Sequence, residues 1–127
     1  LMVPKLRNVD QMSIQKIGEE LKNTSQLCRE LKIDKKEFFG GSMTISSLGG
    51  IGGTFFTPII NPPEVAILGV GKSYDRLVKI KNKIVSRKIL PISLSYDHRK
   101  IDGAEGAKFC VYLGKCLGKD FAFKLAI

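Results

Sequence analysis

One strand-to-helix unit near the end of the chain constrains the fold more than any other feature of the 127-residue sequence. In the run of residues 90–96, positions 92–96 alternate between apolar and polar side chains, with Ile92, Leu94 and Tyr96 separated by two serines. This period of two is typical of a half-buried strand. After a short polar junction, Asp102 stands at the head of a segment with the pattern of a helix. The sequence therefore predicts a strand that leads directly into a helix.

The junction holds the only histidine of the chain, His98, within residues 97–103, which read D-H-R-K-I-D-G. Imidazole is the side chain best suited to accept and release a proton near neutral pH. A single histidine is more often structural than catalytic. Irregular backbone between a strand and a helix is, however, where functional side chains concentrate. His98 is therefore the candidate general base.

Two amphipathic helices are predicted, one near each end of the chain. The first has apolar or small side chains at spacings of three and four residues, namely Ile14, Ile17, Leu21, Thr24, Cys28 and Leu31. Asp10 or Ser13 is its candidate N-cap. The second begins after Asp102, and its predicted apolar side contains Ala104, Ala107, Cys110 or Val111, Gly114 and Leu117. The stripe of the first helix indicates core packing and no catalytic role.

The remaining patterns predict strands and one hairpin. A short strand is expected over residues 42–48, with Thr44 and Ser46 on one face, and it leads into a glycine-rich loop. Residues 64–70 form an apolar run that is typical of a buried strand. Basic residues 79–88 suggest a hairpin that turns near Asn82-Lys83. Strands separated by helices predict an α/β fold with a mixed β-sheet and helices packed on it.

Composition excludes several classes of function. The net charge of +9, from 21 basic and 12 acidic residues, invites a nucleic-acid interpretation. No aromatic side chain interleaves with the basic residues of the hairpin to stack on bases, so a solvated surface is favoured and no nucleic-acid partner is expected. Three cysteines without a C-x-x-C pair indicate a reducing compartment and no zinc site. No apolar run approaches the roughly 20 residues of a membrane span.

The D-H-R-x-x-D-G pattern resembles the active-site signature of the dihydrolipoamide acyltransferases, the core components of 2-oxo-acid dehydrogenase complexes. Chloramphenicol acetyltransferase is a relative with the looser pattern H-x-x-x-D-G. Three further blocks, Val3–Leu31, Leu48–Thr54 and Thr57–Val70, are similar to the same family, so the resemblance covers nearly the whole chain. It implies a chloramphenicol acetyltransferase-like fold. It also implies that residues 1–127 are the C-terminal part of the catalytic domain, without a lipoyl or peripheral-subunit-binding domain.

The resemblance implies three catalytic residues and no metal. His98 would take the proton of the coenzyme A thiol, and Ser46, in the T-I-S segment, would donate a hydrogen bond to the oxyanion. Strand alternation leaves Ser46 or the adjacent Ser47 facing the site, with Ser46 favoured. Asp102 belongs to the family's active site and would orient the imidazole. The alternative is that Asp102 caps the helix and pairs with Arg99 or another arginine, while Gly103 permits a tight helix start.

The same resemblance implies an assembly and its partners. The active site would lie between two subunits of a homotrimer, with His98 from one subunit and Ser46 from its neighbour. Trimers would build a larger cubic or dodecahedral core through the apolar tail at Leu125–Ile127. The lipoyl group, carried on a separate domain, and the decarboxylase and dihydrolipoamide dehydrogenase components would be partners. The expected location is the bacterial cytoplasm, or the mitochondrial matrix of a eukaryote.

The acyl group is predicted from the sequence G-G-I-G-G-T-F-F-T-P-I-I-N, which looks most like the acetyl-transferring branch that serves pyruvate dehydrogenase. Succinyl-transferring and branched-chain acyl-transferring cores are the nearest alternatives. A non-catalytic core scaffold is disfavoured because such subunits lose the histidine motif. A small-molecule acetyltransferase of the chloramphenicol type is disfavoured by Arg99 and by the block around residues 57–67.

Overall fold

The computed structural model of the chain describes residues 1–118 and residue 121. The chain divides into two compact units, Leu1–Ser42 and Met43–Ile127. The apolar tail that was expected to join trimers, Leu125–Ile127, lies outside the described residues. Among the described helices, none combines the length and the apolar character that crossing a bilayer requires.

The first unit is built on helix α1, Ile14–Arg29. Its N-cap is Ser13, whose hydroxyl oxygen accepts a hydrogen bond from the backbone N–H of Lys16 at 3.2 Å. This bond satisfies one of the amide donors that a helix N-terminus leaves free. Asp10, the other candidate cap, lies instead in a preceding 3-10 helix, Val9–Gln11.

The stripe of α1 predicted to pack in the core is wrong at Ile14 and Leu21, each 59% exposed, and at Leu31, which lies beyond the helix. The helix ends two residues earlier, and Leu31 takes a left-handed backbone conformation with φ of 55° and 80% of its surface exposed. Its N–H donates to Cys28 O at 3.1 Å, and the N–H of Lys32 donates to Leu27 O at 2.9 Å. This pair of bonds is a Schellman C-cap, which ends the helix. A second 3-10 helix, Lys35–Phe38, follows.

Among the residues that the structure describes, the second unit contains five strands, which are β1 Thr44–Ser47, β2 Ala66–Val70, β3 Tyr74–Ile80, β4 Lys83–Ile89 and β5 Ile92–Tyr96. Strand β2 is the centre of a three-stranded sheet, parallel to β1 and antiparallel to β5. The predicted mixed sheet is therefore confirmed. Its central strand carries the buried apolar side chains Ala66, Ile67 and Leu68, because neighbours on both edges and cover on its faces exclude water from it.

Strands β3 and β4 form the predicted hairpin between β2 and β5, and within the described part of the chain they pair with no other strand. The two turn residues are Lys81 and Asn82, with φ of 45° and 61°. Positive φ at both positions is the type I′ geometry that suits the twist of a two-residue hairpin. The turn expected near Asn82-Lys83 thus lies one residue earlier, because Lys83 already pairs with Ile80 in the ladder.

Helix α2, Gly103–Cys116, contacts β5 and starts at its N-cap Asp102. The side of the helix predicted to be apolar is wrong, except at Cys110, one of the two residues considered for its position. The buried or half-buried positions of the helix are Gly106, Cys110, Leu113 and Cys116, whereas Ala104, Ala107, Val111 and Gly114 are exposed. The reason is a close approach between Gly106 and Tyr96, since a β-carbon on Gly106 would lie 2.9 Å from the tyrosine ring.

The glycine-rich loop after β1 returns to the end of β2. The N–H of Leu48 donates to Val70 O, and the N–H of Lys72 donates to Gly53 O, both at 2.9 Å. At Gly71 a β-carbon would overlap the carbonyl oxygen of Thr54. Glycine is required there because backbone meets backbone without space for a side chain.

Candidate active site

The turn that carries His98 is fixed by backbone hydrogen bonds on both sides. The N–H of Asp97 donates to Val65 O at 2.8 Å and ties the start of the turn to the residue before β2. The carbonyl oxygen of Asp97 accepts from the N–H groups of Lys100 and Ile101 at 2.9 and 3.0 Å. The imidazole therefore extends from a backbone that the sheet and the turn hold in place.

A side-chain clamp joins Asp97 and Arg99 on either side of the histidine. The Asp97 carboxylate accepts from the Arg99 backbone N–H at 3.0 Å, from Nε at 2.9 Å and from Nη2 at 2.7 Å. The hydrogen bonds from the Arg99 side chain, then the one from its backbone, lower the pKa of Asp97 to about 2. The pKa of Arg99 is raised in return, chiefly by its hydrogen bond to Asp97. In the alternative role considered for Asp102, Arg99 or another arginine would pair with it, but Arg99 pairs with Asp97 instead.

His98 is exposed and lies beside Tyr96, the last residue of β5. The two ring centroids are 5.7 Å apart, and the ring planes make an angle of 39°. This separation is within the range of a direct aromatic contact. Within residues 1–118, the imidazole nitrogens have no hydrogen-bond partner, so both remain available to a ligand.

A cavity of about 580 Å³ opens beside His98. Its wall is made by two segments, the residues that precede β2 and the turn after β5, and comprises Ile60, Pro62, Pro63, Glu64, Val65 and residues 96–100. Glu64 is buried and accepts a hydrogen bond from the Thr44 hydroxyl at 2.5 Å. In the part of the chain that the structure describes, no group of three or more His, Cys, Asp or Glu side chains is arranged to hold a metal.

Asp102 acts as a helix cap in the structure. Its Oδ1 accepts a hydrogen bond from the backbone N–H of Glu105 at 2.8 Å. No hydrogen bond joins Asp102 to His98 among the described residues. Of the two roles considered for this aspartate, the capping role is observed, and the ring-orienting contact is not made.

Ser46 lies in β1, where Thr44 and Ser46 are half-buried and Ile45 and Ser47 are exposed, as the alternation predicted. Ser46 pairs with Gly69 of β2, whereas the His98 turn is tied to Val65, four residues earlier on the same segment. The two positions therefore differ by about 13 Å along the strands and by two strand spacings, about 10 Å, across them. One copy of the chain does not bring Ser46 and His98 to the same reacting atom.

Two residues near His98 were given no role from the sequence. Tyr96 was assigned only to the strand, and Gly106 was left off the predicted buried side of α2. Gly103 was expected to be needed for a tight helix start, but a β-carbon there would lie 3.9 Å from the Tyr96 hydroxyl, an ordinary contact. The available signal was an aromatic residue two positions before the histidine and a glycine inside the first turns of the helix.

A mixed sheet that delivers a histidine-bearing turn to the edge of a cavity, beside a helix capped by an aspartate, defines a catalytic domain of the chloramphenicol acetyltransferase-like class. The chain belongs to the 2-oxoacid dehydrogenase acyltransferase family, whose catalytic-domain model matches residues 1–122.

Curated relatives agree with this assignment. The chain is 48% identical over 117 residues to the dihydrolipoyllysine-residue acetyltransferase component of the pyruvate dehydrogenase complex from Cupriavidus necator. It is 51% identical, over the same length, to the component of that name from Haemophilus influenzae. Both matches cover 92% of this chain and 21% of the relative. The chain thus spans about a fifth of the length of these relatives.

Solved structures show the same fold. Dihydrolipoamide acetyltransferase of Azotobacter vinelandii, studied for the role of one serine, one histidine and one asparagine in its catalytic mechanism, superposes with a TM-score of 0.91 at 45% identity. The cubic core of a pyruvate dehydrogenase multienzyme complex gives 0.91 at 44% identity. Each match covers 99% of this chain and 51% of the solved chain.

Proposed function

We propose that the chain forms part of a dihydrolipoamide acetyltransferase, which moves an acetyl group from the dihydrolipoyl arm to coenzyme A in a pyruvate dehydrogenase complex. The observation that carries this proposal is the exposed imidazole of His98, held on a rigid turn at the edge of the cavity. The turn occurs in a chain about half identical to acetyltransferases of that complex. Coenzyme A and the acetylated dihydrolipoyl group are the two substrates.

His98 acts as the general base of this reaction. One ring nitrogen accepts the proton of the coenzyme A thiol, and the resulting thiolate attacks the acetyl carbonyl carbon of the dihydrolipoyl thioester. A new carbon–sulfur bond forms as the carbonyl oxygen becomes an oxyanion. When the tetrahedral intermediate collapses, the bond to the dihydrolipoyl sulfur breaks, and the imidazolium returns its proton to that sulfur.

Ser46 supplies the hydrogen bond that stabilises the oxyanion. In the Azotobacter enzyme, the serine and histidine under study are separated by the same number of residues as Ser46 and His98. The asparagine of that enzyme follows its histidine at the spacing at which Asp102 follows His98. An amide does not accept a proton as a carboxylate does. This supports a role for Asp102 in shaping the turn and the helix start rather than in proton transfer.

The active site is completed between copies of the chain in a homotrimer. The separation of Ser46 from His98 within one copy supports this arrangement, since two catalytic groups must reach the same carbonyl. Trimers then form a larger core of cubic or dodecahedral symmetry, a cubic core being the assembly of the structural relative. Lipoyl domains, the decarboxylase and dihydrolipoamide dehydrogenase components are its partners. Three free cysteines and bacterial relatives support a bacterial cytoplasmic location.

Residues 1–127 form the C-terminal part of the catalytic domain in this proposal. Its support is the large apolar surface that the chain leaves open, with side chains such as Ile45 and Ile59 exposed to 68% and 89%. Exposure of so many large apolar side chains indicates surface that contacts other protein. The rest of the domain and neighbouring subunits would cover it.

The test measures acetyl transfer from acetyl-dihydrolipoamide to coenzyme A by the full-length, assembled protein. His98→Ala is expected to lower kcat on the order of 100-fold or more, and Lys108→Ala, on the exposed side of α2, serves as the matched control. Faster transfer of succinyl or branched-chain acyl groups would overturn the acetyl assignment. Undiminished transfer by assembled His98→Ala, or transfer to chloramphenicol alone, would overturn the mechanism. Inactivity with every acyl donor would indicate a scaffold.

A further inference from the structure

We propose that Tyr96 is a positioning residue for His98, and that Gly106 is the site on helix α2 against which its ring is packed. The proposal rests on the proposed function, because it concerns the imidazole that acts as the base. It assigns to the Tyr96–Gly106 contact the role of fixing where the imidazole stands relative to the cavity.

The contact between Tyr96 and Gly106 leaves no space for a side chain. A β-carbon on Gly106 would lie 2.9 and 3.1 Å from two ring carbons of Tyr96 and 3.4 Å from its hydroxyl oxygen. Real β-carbons do not approach other atoms as closely as the first of these distances. Glycine also lowers the stability of a helix interior relative to alanine. Its presence at position 106 is therefore explained by the ring that it accommodates.

The backbone of Tyr96 is anchored as firmly as its ring. Tyr96 pairs with Ala66 in the antiparallel ladder between β5 and β2, and Ala66 belongs to the buried core. The next residue, Asp97, is tied to Val65 by the 2.8 Å bond described above. Sheet and helix thus define the plane and the position of the aromatic ring together.

His98 has no such fixation of its own. Its ring is exposed, and within residues 1–118 its nitrogens form no hydrogen bond that would select one rotamer. The aromatic neighbour at 5.7 Å is Tyr96. Because the ring of Tyr96 occupies one side of the space around the imidazole, it restricts the side-chain rotamers of His98. Displacement of a catalytic group by about 1 Å is enough to slow a reaction roughly 100-fold.

The first test replaces Tyr96 in the full-length, assembled protein and measures acetyl transfer to coenzyme A. Tyr96→Leu is expected to lower kcat roughly 10- to 100-fold, with KM for both substrates unchanged. Tyr96→Phe keeps the ring and is expected to retain the wild-type kcat. Wild-type kcat in Tyr96→Leu would overturn the proposal, as would a loss in Tyr96→Phe equal to that in Tyr96→Leu.

The second test changes a residue of helix α2 and leaves Tyr96 in place. Gly106→Ala forces the ring to move and is expected to lower kcat as Tyr96→Leu does. Gly114→Ala is the matched control, since nothing lies within 4 Å of a β-carbon at that exposed position of α2. In the Tyr96→Leu background, Gly106→Ala is expected to cause no further loss. Equal kcat in Gly106→Ala and Gly114→Ala would overturn the proposal, and this comparison decides the matter even if Tyr96→Leu fails to assemble.

The third test separates positioning from a general structural effect. In a His98→Ala background, Tyr96→Leu is expected to leave the residual rate unchanged, because the group it positions is already absent. A further loss of rate there would show that Tyr96 acts through the fold at large and would contradict the proposal. If the wild-type protein transfers no acetyl group, the proposed function fails. If the wild-type protein is active and the Tyr96 and Gly106 variants behave like it, the positioning role fails and the proposed function stands.

Discussion

Asp102, four residues after the catalytic candidate His98, accepts a hydrogen bond from the backbone N–H of Glu105 at 2.8 Å through its carboxylate. The bond satisfies one of the amides left free at the start of α2. The cap at Asp102 directly follows the turn that carries His98, so the cap determines where that turn must end. This geometry explains how Asp102 influences the site without touching the imidazole.

Replacement of Asp102 by asparagine is therefore expected to cause little loss of stability or of kcat. Asp102→Asn keeps an oxygen acceptor for Glu105 N–H and should retain thermal stability and most of kcat. Asp102→Ala removes the acceptor and should lower the free energy of unfolding by about 1 kcal/mol. Thermal unfolding and acetyl-transfer rates of the full-length protein check this. A kcat of Asp102→Asn as low as that of His98→Ala would instead indicate proton transfer by the carboxylate.

The clamp between Asp97 and Arg99 predicts how the turn responds to pH. Because the folded-state pKa of Asp97 is lowered from 3.8 to about 2, the carboxylate stabilises the turn above pH 3.8. This contribution is lost as the pH falls through about 2. The acid limb of a pH–rate profile above pH 4 is therefore not due to Asp97.

Removal of the arginine should return the pKa of Asp97 toward its ordinary value of 3.8. Arg99→Ala is the test, with the carboxyl carbon of Asp97 followed by NMR as the pH is lowered. Lys100→Ala is the control, since Lys100 is the weaker, through-space contributor to the same pKa. A pKa that stays near 2 in Arg99→Ala would show that the hydrogen bonds from the Arg99 side chain do not cause the shift.

A stability prediction follows from the loop that returns to β2. Gly71→Ala places a β-carbon against the Thr54 carbonyl oxygen and is expected to lower the free energy of unfolding by about 1–3 kcal/mol. Gly50→Ala, in the glycine-rich loop after β1, meets nothing within 4 Å and should leave the free energy of unfolding unchanged. Denaturant unfolding of the full-length protein compares the two variants. Equal stability of both would contradict the close backbone contact.

The sequence predicted the elements of the fold better than their ends. Alternation and apolar runs identified β1, β2 and β5, because burial on one or both faces dictates which side chains a strand carries. The end of α1 was missed since Leu31 adopts a left-handed conformation that usually belongs to glycine. The hairpin turn was displaced by one residue because Lys81 and Asn82 form a type I′ turn without the Asn-Gly pair that marks it.

The sequence predicted a chemistry for the site but not its geometry. His98 and Ser46 were proposed through a motif of residue types and spacing, and their catalytic roles stay predictions. The pairing of Arg99 with Asp97 was not predicted, because it depends on the local geometry of the turn. The contact of Tyr96 with Gly106 was not predicted, because it depends on which face of α2 meets the sheet. A helix with small residues on several sides does not reveal that face, and the bulky ring that decides it lies on another element.

Ser46 and Ser47 differ in exposure, and this difference predicts which of them is catalytic. Ser46→Ala is expected to lower kcat on the order of 100-fold. Ser47→Ala should remain near wild type, because the Ser47 side chain is exposed and only accepts a weak bond from Gly49 N–H at 3.4 Å. Acetyl-transfer kinetics of the two alanine variants decide between the serines, and a larger loss in Ser47→Ala would reverse the assignment.

Mixed assemblies test whether Ser46 and His98 act from different copies of the chain. Ser46→Ala and His98→Ala subunits are each expected to be nearly inactive alone. When they are unfolded and reassembled together at equal amounts, about one quarter of the sites between neighbouring subunits regain both side chains. Activity should therefore return to about that fraction of wild type, because the two residues lie too far apart within one copy. If both came from the same copy, every site would lack one of them and mixing would restore nothing. In the control, subunits of the double variant Ser46→Ala/His98→Ala are mixed with wild-type subunits. Sites lose activity in this mixture, and no two inactive partners complement each other.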